Sequence, residues 1–244
     1  MSKLGTYTDH YAIVYDSIKG NRSADIELIC RLVRENRPHT RHVLELGCGT
    51  GSVLQSLADS YHVMGLDNST AMLTYAKRRI PEHTLYLADM ADFHLGQKFD
   101  VIYCIHNSIN HLTTSDKWVA MFDCVHAQLK SGGIFIFDFS TKEQMDSQNH
   151  NQISIWSAGD NYVLAKTTKH PINEGQFSRE VRIFLQKDSY SFSYHHLTID
   201  VRAFRITDIL QMLTPNFIVL NSFILQQTKD IDGTGHTYFI CQKT

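Results

Sequence analysis

Residues 43 to 53 read VLELGCGTGSV, so Glu45 stands two positions ahead of the first of three closely spaced glycines, Gly47, Gly49 and Gly51. Glycines in alternation let a backbone turn sharply and let a ligand approach without meeting a Cβ. The dinucleotide fingerprint G-x-G-x-x-G would need glycine at position 52, where the chain has Ser52, and no Walker lysine follows. A carboxylate just ahead of the loop is unhelpful to a pyrophosphate but suits a cationic amino group. Two more carboxylates close later apolar runs. Asp67 ends YHVMGLD, where it can accept from two ribose hydroxyls, and Asp89 ends TLYLAD, where it can accept from an exocyclic adenine amine. Acids at three successive strand ends describe a nucleoside that carries positive charge.

A second cluster, CIHNSINHL, brings His106, Asn107, Ser108, Asn110 and His111 together. A histidine titrates near neutral pH and can take the proton a nucleophile releases, which makes His106 and His111 the candidate bases. Asn107, Ser108 and Asn110 are then candidate substrate contacts. His195 and His196 are also candidates on the substrate side; strand alternation sends them to opposite faces, so at most one points inward. Arg202 and Arg205 could meet a substrate carboxylate or phosphate, though each reads first as a solvated cation, and Cys48, with nothing basic beside it in the sequence, reads as a packing residue rather than a nucleophile.

The elements that must carry these residues follow from periodicity. Ile26, Ile29, Cys30 and Val33 recur at helical spacing behind Ser23, and Pro38 closes the segment. HVLELG, YHVMGLD, TLYLAD, FDVIYCI and GIFIFDF read as five buried strands; GSVLQSLADS, STAMLTYAKRRIP and DKWVAMFDCVHAQLKSGG read as helices. Strands alternating with helices predict a parallel sheet covered on both faces, with right-handed crossovers. After about residue 140 the rhythm changes: ISIWSA, NYVLAKTT, SREVRIFLQK and YSFSYHHLTIDVR are strand-like and separated by turn signals, which predicts an antiparallel insertion. ITDILQML then reads as a helix, and NFIVLNSFILQQ and HTYFICQK as two further strands.

Composition limits the partners. The chain has 244 residues, 43% hydrophobic and 20% charged, with a net charge of −2, so one substantial core is expected and no electrostatic footprint for nucleic acid or a membrane surface is present. Five dispersed cysteines without a CxxC pair indicate reduced thiols, no apolar run approaches a membrane span, and a cytoplasmic protein is expected. No convincing acidic metal cluster is visible, and no metal is expected.

VLELGCGTG, GLDNSTAML, LADMADF, KFDVIYCIHNSINHL and LKSGG resemble, in order and spacing, the successive motifs of class I S-adenosylmethionine-dependent methyltransferases over about residues 40 to 140. The N-terminal HYAIVYD and the late insertion are most similar to small-molecule members, notably amino-sugar N-methyltransferases. The resemblance implies a Rossmann-like α/β fold: a seven-stranded, mostly parallel sheet with helices on both faces, plus an antiparallel β insertion after strand five. It implies one domain: an N-terminal lid segment at 1–22, a cofactor-binding core at 23–140, the substrate-side insertion at 141–203 and a return to the core sheet at 204–244. S-adenosyl-L-methionine is the implied cofactor and S-adenosyl-L-homocysteine its product. The implied cofactor residues are Tyr15, Glu45, Gly47, Cys48, Gly49, Thr50, Gly51, Asp67, Asn68, Met72, Asp89, Met90 and Ile105, with Met72 and Met90 flanking the adenine. The implied acceptor is a small molecule methylated at an amine or hydroxyl, by a monomer or homodimer. Two other readings stay open. An open groove lined by Lys77, Arg78 and Arg79 would fit a tRNA or other macromolecular substrate, and a filled pocket would fit a protein that binds the cofactor without turnover.

Overall fold

The computed structural model describes residues 7–148, 150, 152–225 and 235–244. Residues 1–6 of the expected lid, Asn149 and Asn151, and Gln226 and Gln227 of the expected penultimate strand lie outside the described residues. Two helices open the described chain: α1 (Asp9–Lys19) and α2 (Ser23–Asn36). The alternating core follows with β1 (His42–Leu46), α3 (Ser52–Leu57), β2 (His62–Asp67), α4 (Thr70–Arg79), β3 (Thr84–Leu87), β4 (Phe99–Cys104), α5 (Ser115–Gln128) and β5 (Leu129–Phe139). A short α6 (Lys142–Asp146) leads to β6 (Ser154–Ala158), β7 (Asn161–Lys169), β8 (Gln176–Asp188) and β9 (Ser191–Arg202), and the chain ends with α7 (Ile206–Leu213), β10 (Phe217–Leu225) and β11 (His236–Lys243).

The main sheet has the order β10-β11-β5-β4-β1-β2-β3. Pairings among β1 to β5 are parallel, and β11 runs antiparallel to both β5 and β10. The seven-stranded, mostly parallel sheet expected above is present. Every residue of β4 is buried, as a strand covered on both faces requires. One face is packed by Trp118, Phe122, Phe135 and Phe137, the other by Ile29, Val33, Val43 and Tyr103. Strand order reverses between β1 and β4, and in open α/β sheets the crevice at that point, beyond the carboxyl ends, is where ligands bind.

The insertion is a separate four-stranded antiparallel sheet, β6-β7-β8-β9. Its inner face carries Val163, Ala165, Phe177, Val181 and Ile199, and these pack with Tyr11, Val14 and Ile18 of α1 into a third core. The N-terminal segment is therefore a helix, with Thr8 Oγ1 accepting from the Tyr11 amide at its start. The sequence reading treated it only as a lid, because its apolar stripe fits a sheet that lies more than a hundred residues away. No helix among the described residues is long and apolar enough to cross a membrane.

Candidate active site

Each carboxyl end of the central strands delivers part of one cavity. From β1 comes the glycine loop. Gly47 has φ +71, and a Cβ there would lie 2.9 Å from both Cβ and Oγ of Ser108; Gly49 has φ +53 and would meet the Tyr15 ring at 3.6 Å. From β2 comes Asp67, whose Oδ2 accepts the Gly49 amide at 2.8 Å and whose Oδ1 accepts the Ser69 amide at 2.8 Å. Burial raises the Asp67 carboxyl above its ordinary value, and the backbone amides it accepts work against that rise. Asn68, Met72 and Met90 line the same end of the cavity.

The loop after β4 supplies the other end. His106 and Asn107 both adopt left-handed backbone, at φ 63 and 58, an unusual pair for residues that carry a Cβ. Asp138, at the end of β5 and fully buried, fixes that turn: it accepts the His106 amide at 2.9 Å and the Asn107 amide at 2.7 Å. Its Oδ2 is also 2.8 Å from Nδ1 of His236, whose Nε2 lies 3.1 Å from Nδ2 of Asn107. Burial alone would push the Asp138 carboxyl up; the charge of His236 and these hydrogen bonds hold it below its ordinary value. Neither Asp138 nor His236 was singled out in the sequence. An acid closing GIFIFDF in the manner of Asp67 was the available signal for Asp138, whereas nothing local marks His236.

The candidate bases sit differently. The Nε2 of His106 is turned to α2, 2.9 Å from Asp25 Oδ2 and hydrogen-bonded to Arg22. Burial and the Arg22 charge lower the His106 pKa, against the opposite pull of Asp25. His111, on the 3₁₀ turn Ser108–His111, has its Nε2 at 3.0 Å from the Tyr7 hydroxyl. Ser108 Oγ donates to the Ile105 carbonyl at 2.7 Å, and the Asn110 amide is engaged by backbone, bridging Ser140 and the Arg202 carbonyl. All of His106, Asn107, Ser108, Asn110 and His111 line the cavity.

Six expected cofactor residues do not line it. Glu45 is 3% exposed, accepts from the Tyr103 hydroxyl at 3.0 Å and is pushed by burial up to about 8, so it is a neutral acid inside the sheet rather than an anion facing a ligand. Cys48 is buried beside Gly65, with its thiol raised well above the ordinary value by burial. Thr50 donates to Asp16 Oδ1 at 2.6 Å, and Gly51 opens α3 with φ +74 against Ala76. Asp89 accepts the Ala91 amide at 2.9 Å and is 39% exposed, although its neighbours Ala88 and Met90 do line the cavity. Ile105 is buried. In the insertion, His195 stacks on His10 of α1 with ring centroids 3.4 Å apart and His196 is exposed, so adjacent histidines do take opposite faces and neither lines the cavity.

Comparison with known proteins identifies the architecture. The family profile described as a methyltransferase domain matches residues 43–133. A trans-aconitate 2-methyltransferase from Acidovorax ebreus is 31% identical over 223 residues, covering 84% of this chain and 83% of that one. The chain belongs to the class I S-adenosylmethionine-dependent methyltransferase family. A dTDP-3-amino-3,4,6-trideoxy-alpha-D-glucopyranose N,N-dimethyltransferase from Streptomyces venezuelae is 31% identical over 133 residues. That match takes in 54% of this chain and 56% of the relative, so the chain spans about half the length of the amino-sugar relatives it matches. The structure of SAM-bound CalS10, an amino pentose methyltransferase from Micromonospora echinaspora, superposes with a TM-score of 0.77 at 22% identity over 98% of each chain.

The methyltransferase cavity fits the family's cofactor on its own geometry. A cradle of side-chain-free backbone at Gly47 and Gly49 lies next to the buried carboxylate of Asp67, which retains acceptor capacity beyond its two backbone bonds. Tyr11, one of the aromatics expected to close over the cofactor from the N-terminal segment, reaches the cavity as Tyr15 does. Further walls come from residues the sequence did not mark: Tyr7 and Lys19 from the N-terminal segment, Ser140 and Met145 from beyond β5, and Arg179 and Val201 from the insertion.

Proposed function

We propose that this methyltransferase carries a methyl group from S-adenosylmethionine to a small-molecule acceptor, an amine before a hydroxyl. The observation that carries the reading is the continuity of the cavity, which runs from Gly47 and Asp67 past the His106–His111 loop to the inner face of the insertion. Bound there, the cofactor supplies an electrophilic methyl on a cationic sulfur. Asp67 would accept from the ribose hydroxyls, Met72 and Met90 would flank the adenine, and the bare backbone at Gly47 and Gly49 would let the methionine portion pass. Tyr11 and Tyr15 of α1 and Tyr7 just ahead of it, in mutual ring contact at 4.9 to 6.1 Å, close the cavity and exclude water. A sulfonium is already a good leaving group, so the protein's contribution is approach geometry and removal of a proton.

His111 takes that proton. It sits in the cavity wall with its ring hydrogen-bonded to Tyr7 of the closing segment, whereas His106 has its Nε2 tied to α2 and serves as a strut. The amine preference draws on the relatives named for amino sugars, and a cavity walled by α1, the loop after β4 and the insertion supports a small acceptor over a macromolecule. Lys77 and Arg78 line an open groove beside β3, separate from this cavity, while Arg79, the third residue named for a macromolecular groove, is turned to Asp16 and Thr50.

Calorimetry with S-adenosylhomocysteine and with NADH tests the binding half; binding of the first alone is expected, and binding of NADH alone would overturn the cofactor assignment. Isotopically labelled donor, offered with a panel of amino sugars, their nucleotide-linked forms and trans-aconitate, tests the chemistry. Mass gained in whole methyl increments on an amine is expected, and transfer only to tRNA or protein would overturn the acceptor class.

A further inference from the structure

We propose that Asp138 and His236 are positioning residues for methyl transfer: together they hold the loop after β4 in the backbone shape that presents its side chains to the acceptor, before any ligand arrives. The inference rests on the small-molecule reading above and adds to it two residues behind the cavity wall. Neither lines the cavity, and they are 0% and 2% exposed, so their effect on the reaction passes through the loop. His106 and Asn107 are consecutive residues in left-handed backbone, a conformation that costs free energy in any residue with a Cβ unless the surroundings compensate it. The compensation is an anion. Successive amides in such a turn open onto one concavity that suits negative charge, and the two oxygens of Asp138 fill it: Oδ2 accepts the His106 amide at 2.9 Å and Oδ1 the Asn107 amide at 2.7 Å.

A carboxylate suits this place better than its amide. An asparagine at 138 would set its own N–H groups against one of the two backbone donors, whereas a carboxylate accepts both. A buried carboxylate in turn needs a partner. His236, the first residue of β11, brings Nδ1 to 2.8 Å from Asp138 Oδ2, while its Nε2 lies 3.1 Å from Nδ2 of Asn107. It therefore reaches the turn twice, once through Asp138 and once directly. The far end of the loop is tied to the same stretch of chain: Asn110 Nδ2 donates to the Ser140 carbonyl at 3.1 Å, and Asn110 Oδ1 accepts the Ser140 amide at 3.0 Å. Between these two attachments runs the 3₁₀ turn Ser108–His111, so a shift of the backbone at its Asp138 end is passed along it to His111, the proton acceptor of the reading above. Methyl transfer depends on approach geometry at the scale of an ångström, and two attachments to one rigid strand end supply it.

Hydrogen exchange and methyl transfer, read side by side on Asp138→Asn, His236→Asn and His236→Ala, test this. Exchange followed by mass spectrometry on the full chain needs no acceptor. The His106 and Asn107 amides are expected to be protected in the unliganded protein and to exchange roughly tenfold faster or more in Asp138→Asn, with the glycine loop unchanged. S-adenosylhomocysteine affinity should stay within about twofold in every variant. With labelled donor and the panel of amino sugars, nucleotide-linked amino sugars and trans-aconitate, kcat should fall about a hundredfold in Asp138→Asn. His236→Asn keeps a donor toward Asp138 and should recover part of the loss seen in His236→Ala; the two also carry the comparison should Asp138→Asn fail to fold. Unaltered exchange at residues 106 and 107 overturns the proposal, as does a rise spread evenly over the chain, or full turnover in a variant whose turn exchanges freely. If the unaltered protein methylates nothing in the panel, the small-molecule reading falls, and the exchange result alone decides whether the pair holds the loop.

Discussion

Asp16 of α1 and Arg79 of α4 meet at 2.6 Å, and Thr50 of the glycine loop is held by both: its hydroxyl donates to Asp16 at 2.6 Å and its carbonyl accepts from Arg79 at 2.9 Å. This three-membered contact ties the helix that closes the cavity to the loop that forms its floor. The pair is partly exposed, at 28% and 41% for the two side chains, so its worth is that of a surface ion pair, about 0.5 to 1 kcal/mol. Arg79→Ala should accordingly speed S-adenosylhomocysteine release by roughly two- to fivefold, an effect that shrinks at high salt. Stopped-flow dissociation in low and high salt measures it; an unchanged release rate would show that α1 closes by packing alone.

The two histidines of the acceptor loop should separate in their effects. His111→Asn is expected to lower methyl transfer by about a hundredfold, the range of general-base catalysis, with S-adenosylhomocysteine affinity nearly unchanged. His106→Asn strips a partner from Asp25 and Arg22 and is expected to cost about 1 to 3 kcal/mol of stability, because their buried groups lose a hydrogen bond. Urea denaturation read beside single-turnover transfer distinguishes the two, and a reversed pattern would make His106 the base.

Glu45 sets a pH dependence of stability. Its folded pKa, about 8, lies above the ordinary 4.5, so the protein gains stability from the neutral acid that is fully present below the unfolded value and lost as pH rises toward 8. Glu45→Gln removes that loss. Relative to the unaltered protein it should therefore gain stability between pH 4.5 and 8, with an upper limit of about 1.4 kcal/mol per pH unit. Thermal melts across that range test it; a difference that does not vary with pH would mean Glu45 is ionised in the fold.

Gly47 and Gly96 offer a controlled pair, since both have left-handed backbone but only Gly47 is crowded. Gly96→Ala adds backbone strain alone, at φ +68 with nothing within 4 Å, whereas Gly47→Ala also drives a methyl to 2.9 Å from Ser108. The first should cost about 1 kcal/mol and leave S-adenosylhomocysteine binding untouched. The second should cost more and weaken binding at least several-fold, measured by calorimetry and melts on both variants. Equal binding by the two would remove the glycine cradle from the account of the cofactor site.

The glycine-loop half of the cavity was legible because its signal is local. Gly47 and Gly49 follow directly on β1, Asp67 closes β2, and Met72 and Met90 lie within a few residues of β2 and β3, all inside a strict strand and helix alternation. The strands, their mostly parallel sheet and the antiparallel insertion followed from the same periodicity, and so did the candidate loop at His106 to His111.

Direction, as opposed to position, was not legible. Glu45 and Asp89 stand at strand ends as expected, yet one points into the core toward Tyr103 and the other outward toward Lys117, since strand pleat and loop torsions decide where an end residue aims. Partners far apart in the chain were equally hidden. Asp138 and His236 are 98 residues apart, and His106 and Asp25 are 81 apart. The sequence by itself determined which backbone turns and strand ends exist, because those depend on glycine, periodicity and neighbouring residues. Only the tertiary structure decided which side chains share one cavity, because that depends on how separate sheets and a helix pack across long stretches of chain.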